Sequence, residues 1–279
     1  VGVAVFGHRG ACGYLPENTM PSFELAFELG SDAIEFDVVM TRDGYPVILH
    51  DADLTKTTNV LEHPDLPTQV AEITLADLGN LRVVERYPQS RTQSHLHSGK
   101  YQIPTLQEVV NNPAFDGKHL IIELKYGADF LARGLDLIAA VQKVLTESNW
   151  QQRGLKLTIE CFEFGILRKA KAVIGAGIDY VFLSAPDMLP EGRTQLDDDL
   201  LEEIAQEFDG VSVALEMVSQ NELVRRAKDL GLTLYCYTAR VETAQGEVAT
   251  WFEKLARSGV DGIFADQPDV LRKTVATLA

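Results

Sequence analysis

Seven residues stand in or at the end of short apolar runs, and their types suit one chemistry. His8 and Arg9 follow the run at 3–6, Glu35 and Asp37 lie within the run at 33–39, His50 closes the segment YPVILHD, and Glu123 and Lys125 end the run at 120–124. Residues two apart on a strand share a face, and in a closed barrel that face points to the axis, so Glu35 with Asp37 and Glu123 with Lys125 are expected to point into one mouth. Three carboxylates gathered there repel one another unless a cation neutralises them. Oxygen-only donors suit one hard divalent ion, Mg²⁺ or Ca²⁺, rather than zinc. The plainer alternative pairs the acids with Arg9 and Lys125 as buried salt bridges, although three acids exceed what architecture needs. His63, His95, His97 and His119 fall in polar loops or at a strand entrance, whereas His8 and His50 end strand-like runs. Two imidazoles beside a metal divide general-base and general-acid work near neutral pH. Arg9 and Lys125 add positive charge that would hold an anionic oxygen group and stabilise charge as it develops, which points to a phosphodiester.

Such side chains need a scaffold whose strands end together. Nearly continuous apolar runs recur at 3–6, 33–39, 120–124, 157–161, 180–183, 210–215, 233–237 and 262–265. Continuous rather than alternating runs are what a parallel sheet covered on both faces requires. Between them, helical patterns are expected at 22–29, 131–147, 164–173, 200–208, 219–230 and 247–257. Ser219 with Glu222 and Thr105 with Glu108 read as capping boxes, and Pro268 opens a last helix. Eight strands alternating with helices predict an α/β fold, a (β/α)₈ TIM barrel, with catalytic groups at the carboxyl ends of the strands. The sequence after the first strand, HRGACGYLPEN, lacks the glycine pattern of a dinucleotide-binding sheet. A single domain over residues 1–279 is expected, with an insertion around 52–118 after the second strand. That insertion is polar and turn-rich, and is read either as a lid over the active site or as a mobile surface loop.

Composition narrows the partners. The net charge of -16 disfavours nucleic acid and anionic membranes, and Lys and Arg are scattered rather than clustered. A small-molecule substrate is expected, with no nucleic acid and no stable membrane association; the sequence leaves the oligomeric state open. Cys12, Cys161 and Cys236 lie far apart, without the spacing of a zinc or disulfide framework, and are expected to be free. No signal-peptide pattern opens the chain, so the cytoplasm is expected, with a periplasmic or secreted mature form as the alternative because residue 1 is not Met.

In order along the chain stand HRG at 8–10, PENT at 16–19, EFDV at 35–38, TRDGYPVILHD at 41–51, ELK at 123–125 and GVDGIFADQPD at 259–269. Together they resemble the glycerophosphodiester phosphodiesterase family over nearly the whole chain. The resemblance implies hydrolysis of glycerophosphodiesters to glycerol 3-phosphate and an alcohol. By matching motifs, Glu35, Asp37 and Glu123 would ligate the metal, His8 and His50 would act as acid and base, and Arg9 and Lys125 would bind the phosphate, with Asn18 bracing the first loop. Two departures bear on substrate choice: Glu160-Cys161-Phe162 stands where many relatives carry a serine, and Tyr235 or Tyr237 occupies a tryptophan position, both expected to line the mouth. The attacking hydroxyl belongs either to water or to the substrate glycerol, the latter leaving a cyclic phosphate.

Other readings are a phospholipase-like barrel acting on intact lipids, a glycosidase using Glu35 and Glu123, and a non-catalytic phosphoester-binding barrel. The insertion lacks the tryptophan or basic cluster that a lipid surface would want. A glycosidase would leave His8, His50, Arg9 and Lys125 without roles.

Overall fold

A computed structural model describes residues 2–190 and 192–278. The ends of the expected domain span, residues 1 and 279, lie outside them. Nine strands are described: β1 (Ala4–His8), β2 (Ala33–Met40), β3 (Pro46–Ile48), β4 (His119–Leu124), β5 (Lys156–Cys161), β6 (Asp179–Ser184), β7 (Gly210–Ala214), β8 (Thr233–Ala239) and β9 (Gly262–Ala265). Eight run parallel in the order β1-β9-β8-β7-β6-β5-β4-β2, and the β1–β2 pairing closes the ring. The fold is the (β/α)₈ barrel that the pattern of apolar runs predicts, with β3 added antiparallel to the end of β2. Each run is apolar throughout because one face packs inward and the other meets the helices.

The floor of the barrel is filled by Phe6, Ala33, Ile121, Val181, Tyr235 and Phe264. Phe6 meets Tyr235 edge-on at 4.9 Å and Phe264 at 5.0 Å between ring centroids, contacts worth about 0.5–1.5 kcal/mol each beyond their burial. Gly262 makes room for this packing, since a Cβ there would sit 2.4 Å from the Phe6 ring. A larger shell of aliphatic side chains joins the strands to the helices outside.

The helices depart from expectation at three places. The first spans Met20–Glu28, starting earlier than 22 because Thr19 caps it by accepting from the Ser22 N–H and Pro21 suits its first turn. The pattern at 131–147 divides into helices Gly127–Ala132 and Leu137–Glu147: Gly134 takes φ +80° and Asp136 caps the second by accepting from Ala139 N–H at 3.0 Å. Ser219 does not open a capping box; a helical turn at Leu215–Met217 precedes it and the helix begins at Leu223. At Thr105 the expected cap is present, its hydroxyl accepting from Glu108 N–H at 3.0 Å.

Between β3 and β4 the inserted segment is folded down rather than loose. Val60, Val70, Ile73, Leu78, Leu81 and Val83 are buried in the main core, and isolated bridges Asp53–Gln69, Thr58–Val83 and Val83–Tyr101 tie its turns together. Among the described residues no helix is long and apolar enough to cross a membrane.

Candidate active site

Strand register sets the site. His8 pairs with Glu35 across β1 and β2, Asp37 with Glu123 across β2 and β4, and Glu123 with Glu160 across β4 and β5. His8, Glu123 and Glu160 lie at or next to the carboxyl ends of their strands, whereas Glu35 and Asp37 are the third and fifth residues of the eight-residue β2, which runs on past them. His8, Arg9, Glu35, His50, Glu123 and Lys125 line one cavity of about 160 Å³ together with Glu160, Phe162, Tyr237 and Arg240. A larger groove of about 940 Å³ lies outside the barrel beside helices Leu223–Asp229 and Val248–Ala256, away from this cluster.

The HRG turn is held tightly. Gly10 takes φ +87°, and a Cβ on it would fall 2.4 Å from Ser22 Oγ and 2.6 Å from the Ser22 carbonyl carbon, so only glycine lets the loop sit on the first helix. The adjoining Arg9 takes φ 52° and Asn18 φ 57°, left-handed conformations that side chains adopt only where the surroundings impose them. Here they do: Asn18 N–H donates to the Arg9 carbonyl, and Asn18 Nδ2 donates to Asp37 Oδ2 at 3.0 Å. Asn18 thus braces the loop and also orients an acid.

Glu35, Asp37 and Glu123 each offer an oxygen within 4.8 Å of the others, and all three are buried. Some of their charge is met within the protein: Arg9 N–H donates to Glu35 Oε2 at 3.0 Å, Arg9 Nε stands 3.4 Å from Asp37 Oδ2, and Lys125 Nζ 3.2 Å from Glu123 Oε2. Asp37 Oδ1 and Glu123 Oε2 still lack a hydrogen-bond partner among the described residues; the lysine contact is close enough for ion pairing without hydrogen-bond geometry. Burial, with the charges of Asp37, Glu160 and Glu123, drives the Glu35 carboxyl well above the usual range. Against its own burial, Asp37 is held low by His50, Arg9 and Lys125 and by the Asn18 hydrogen bond. Such a set cannot all ionise together without added positive charge, and an all-oxygen, part-unpaired donor set fits a hard divalent cation.

Both imidazoles are oriented from behind. His8 Nδ1 stands 2.6 Å from Asp266 Oδ1, and His50 Nδ1 stands 3.2 Å from Asp51 Oδ1. Lys125 Nζ lies 3.3 Å from His50 Nε2, so the lone pair sits on that nitrogen and the Nδ1 hydrogen faces Asp51. Burial pushes the His8 pKa down, outweighing the upward pull of Asp266. Asp266 itself, despite burial, is held well below the usual range by His8, Arg91 and Arg240.

The two sequence departures resolve differently. Glu160 and Phe162 line the cavity, whereas Cys161 between them faces outward into the main core, as alternation along a strand requires. Tyr237 lines the cavity and its hydroxyl donates to the Ser184 carbonyl at 2.7 Å; Tyr235 belongs to the floor, not the mouth. Sequence reasoning assigned no role to Glu17, Asp51, Arg240 or Asp266, whereas Glu160, expected to line the mouth, does so. Asp266 directly follows an apolar run and Asp51 stands one residue beyond another, next to His50, so strand-end position could have drawn attention to both.

The family model described as "Glycerophosphoryl diester phosphodiesterase family" matches residues 8–270. The chain belongs to that family. A glycerophosphodiester phosphodiesterase of Bacillus subtilis is 30% identical over 277 residues, covering 97% of this chain and 86% of the relative. One from Haemophilus influenzae is 24% identical over 321 residues, covering 95% and 87%. Among solved structures, a chain from Silicibacter pomeroyi superposes with a TM-score of 0.79 at 27% identity, covering 99% of this chain and 94% of that one. An Oleispira antarctica phosphodiesterase solved with the product sn-glycerol-3-phosphate gives a TM-score of 0.74 at 25% identity, covering 99% and 97%. The glycerophosphoryl diester phosphodiesterase family match takes in all seven residues picked out from the sequence.

Proposed function

We propose that this chain hydrolyses glycerophosphodiesters to glycerol 3-phosphate and an alcohol, with His8 and His50 as the acid-base pair. Glu35, Asp37 and Glu123 would hold one divalent cation, Mg²⁺ or Ca²⁺. The observation that carries the reading is the convergence of His8, His50, Glu35, Glu123, Arg9 and Lys125 on one small cavity within this family's barrel, with an Asp37 oxygen within 4.8 Å of those of the two glutamates. When bound, the cation supplies Lewis-acid polarisation of the phosphoryl group. Arg9 and Lys125 steady the phosphate oxygens as negative charge grows on them. One imidazole, unprotonated at Nε2, accepts the proton of the attacking hydroxyl, while the other, protonated at both nitrogens, gives its Nε2 proton to the leaving alcohol; in each ring Nδ1 faces the carboxylate. The cavity of about 160 Å³ is the size of a phosphate with a small polyol, which favours a deacylated substrate over an intact lipid with acyl chains. A single domain over 1–279, with the segment around 52–118 inserted in it, accounts for all these parts. The net charge of -16 fits a small-molecule partner rather than nucleic acid or a stable membrane association.

The test is release of glycerol 3-phosphate from glycerophosphocholine with and without EDTA, with Mg²⁺ or Ca²⁺ added back, alongside Glu35→Ala and His8→Ala. Chelation should abolish activity, add-back should restore it, His8→Ala should cost at least about 100-fold in kcat, the scale of a lost acid or base, and Glu35→Ala should lose activity with the cation it would hold. Activity indifferent to EDTA and to both substitutions would overturn the assignment.

A further inference from the structure

The inserted segment reaches the site through two arginines. Arg86 Nη2 donates to Asp51 Oδ2, whose other oxygen faces His50 Nδ1. Arg91 Nη2 donates to Asp266 Oδ2 at 2.5 Å, whose other oxygen faces His8 Nδ1. The two arrangements are alike: one carboxylate oxygen takes the guanidinium, the other takes the imidazole. A carboxylate held at both oxygens resists rotation, so the imidazole it touches is fixed in ring angle, with an Nδ1–H toward the carboxylate and Nε2 turned away from it; Nε2 of His50 lies 3.3 Å from Lys125 Nζ.

Each arginine is in turn anchored away from its histidine. Arg86 donates to Glu17 Oε1 at 2.8 Å and Oε2 at 3.2 Å, and Arg9 Nη1 donates to the same Glu17 at 3.0 Å, so the loop, the first turn and His50 are joined in one chain of contacts. Arg91 donates to the Cys12 carbonyl at 3.2 Å and to Glu242 at 3.1 Å, while Arg240 shares Asp266 Oδ2 at 2.8 Å. The stretch carrying both arginines is knotted by buried Glu85, whose oxygens accept from Ser94 Oγ at 2.6 Å and from Tyr87 N–H at 2.7 Å, while its own N–H donates to Ser98 Oγ at 2.8 Å.

We propose that Arg86 and Arg91 are positioning residues, and that the insertion acts as a brace that sets both histidines for proton transfer. This rests on the reading that His8 and His50 carry that transfer. The guanidinium is suited to the task because its planar fork spans two acceptors at fixed angles, which an ammonium cannot do.

The experiment combines kinetics on glycerophosphocholine with ¹⁵N spectra of histidine-labelled protein. Arg91→Met should lower kcat by about 10–100-fold, the usual scale for residues that orient a reacting group through another, with KM changed less than about threefold. In the same variant the His8 ring nitrogens should shift from one Nδ1–H tautomer toward a mixture. Arg86→Met should do the same at His50, and Arg91→Lys, which keeps a donor for Asp266, should recover part of kcat and carries the measurement if the methionine variant does not fold. Glu242→Gln weakens the far-side contact of the Arg91 guanidinium, along with the bonds that Gln267 Nε2 donates to the same carboxylate at 3.1 and 3.2 Å, leaves the Arg91–Asp266 contact in place and should keep kcat within about twofold. His8 nitrogens unmoved in Arg91→Met, or an equal loss in Glu242→Gln, would overturn the proposal by reducing the arginines to ordinary docking contacts. His8→Ala measured in parallel separates the two ideas: full activity there removes the acid-base reading itself, while the nitrogen shifts still report whether Arg91 orients His8.

Discussion

At the scale of single residues, the site is a set of acids held apart by specific partners. Asp37 shows how many are needed: Asn18 donates to it, Arg9 stands beside it, and its second oxygen stays unpartnered among the described residues. Removing the amide should let the carboxylate turn, and partners of this kind typically contribute 10–100-fold in metal affinity. Asn18→Ala is therefore expected to weaken Mg²⁺ or Ca²⁺ binding by at least about 10-fold, read by calorimetric titration of chelator-treated protein. Unchanged affinity would mean that Arg9 alone fixes Asp37. Glu160 adds a fourth buried acid to the wall; burial, followed by the charges of Glu123 and Asp37, pushes its carboxyl well above the usual range.

At the scale of elements, the loop from β1 to the first helix is the most constrained part of the site, because it carries His8 and Arg9 at one end and Glu17 and Asn18 at the other. Gly10 is its pivot. Alanine there meets both a left-handed backbone and the Ser22 main chain, which cannot move without shifting the helix Met20–Glu28. Gly10→Ala should cost at least about 2 kcal/mol in urea unfolding, the sum expected from an unfavourable φ and overpacking, and should lower kcat as the loop is displaced. A variant of unchanged stability would show that loop and helix yield independently. The strand ends behave alike: alternation puts Glu160 and Phe162 in the cavity and Cys161 behind it, so side-chain role changes with every residue along β5.

At the scale of the whole molecule, the two ends of the barrel divide the work, with chemistry at the carboxyl ends and stability at the opposite end. His119, where β4 begins, is bonded to Thr158 Oγ at 2.8 Å and packs edge-on against Phe6. Burial, aided by Lys156, pushes its pKa down to about 4. An unfolded chain protonates the same ring near 6.5, so between those values the unfolded state binds more protons and stability falls as pH falls. Above pH 6.5 the contribution is fully present, and below about 4 it is gone. His119→Asn should flatten the loss of unfolding free energy across this window by up to about 3 kcal/mol, measured by urea titration at a series of pH values. An unaltered slope would mean that other groups carry the acid sensitivity.

Much of this was legible in the chain itself. Burial on both faces demands apolar runs, so all eight barrel strands could be located. Strand ends collect chemistry in this architecture, so His8, Glu35, Asp37, His50, Glu123 and Lys125 could be picked out with Arg9. The break at Gly134 and the cap at Asp136 were also written there, although a helical period running through them concealed the division. What tertiary structure alone decided is which distant groups meet. Arg91 reaches Asp266 across 175 positions and Arg86 reaches Asp51 across 35, from a polar stretch whose composition looks like any surface loop. Likewise Tyr235 and Tyr237 are two apart along β8, and only the level at which the closed barrel packs its floor puts one in that floor and the other, one step further toward the carboxyl end, in the cavity. Periodicity encodes which face a residue takes, because it is local. Partners for buried charges are set by how the closed barrel brings separate loops together, and no local pattern carries that information.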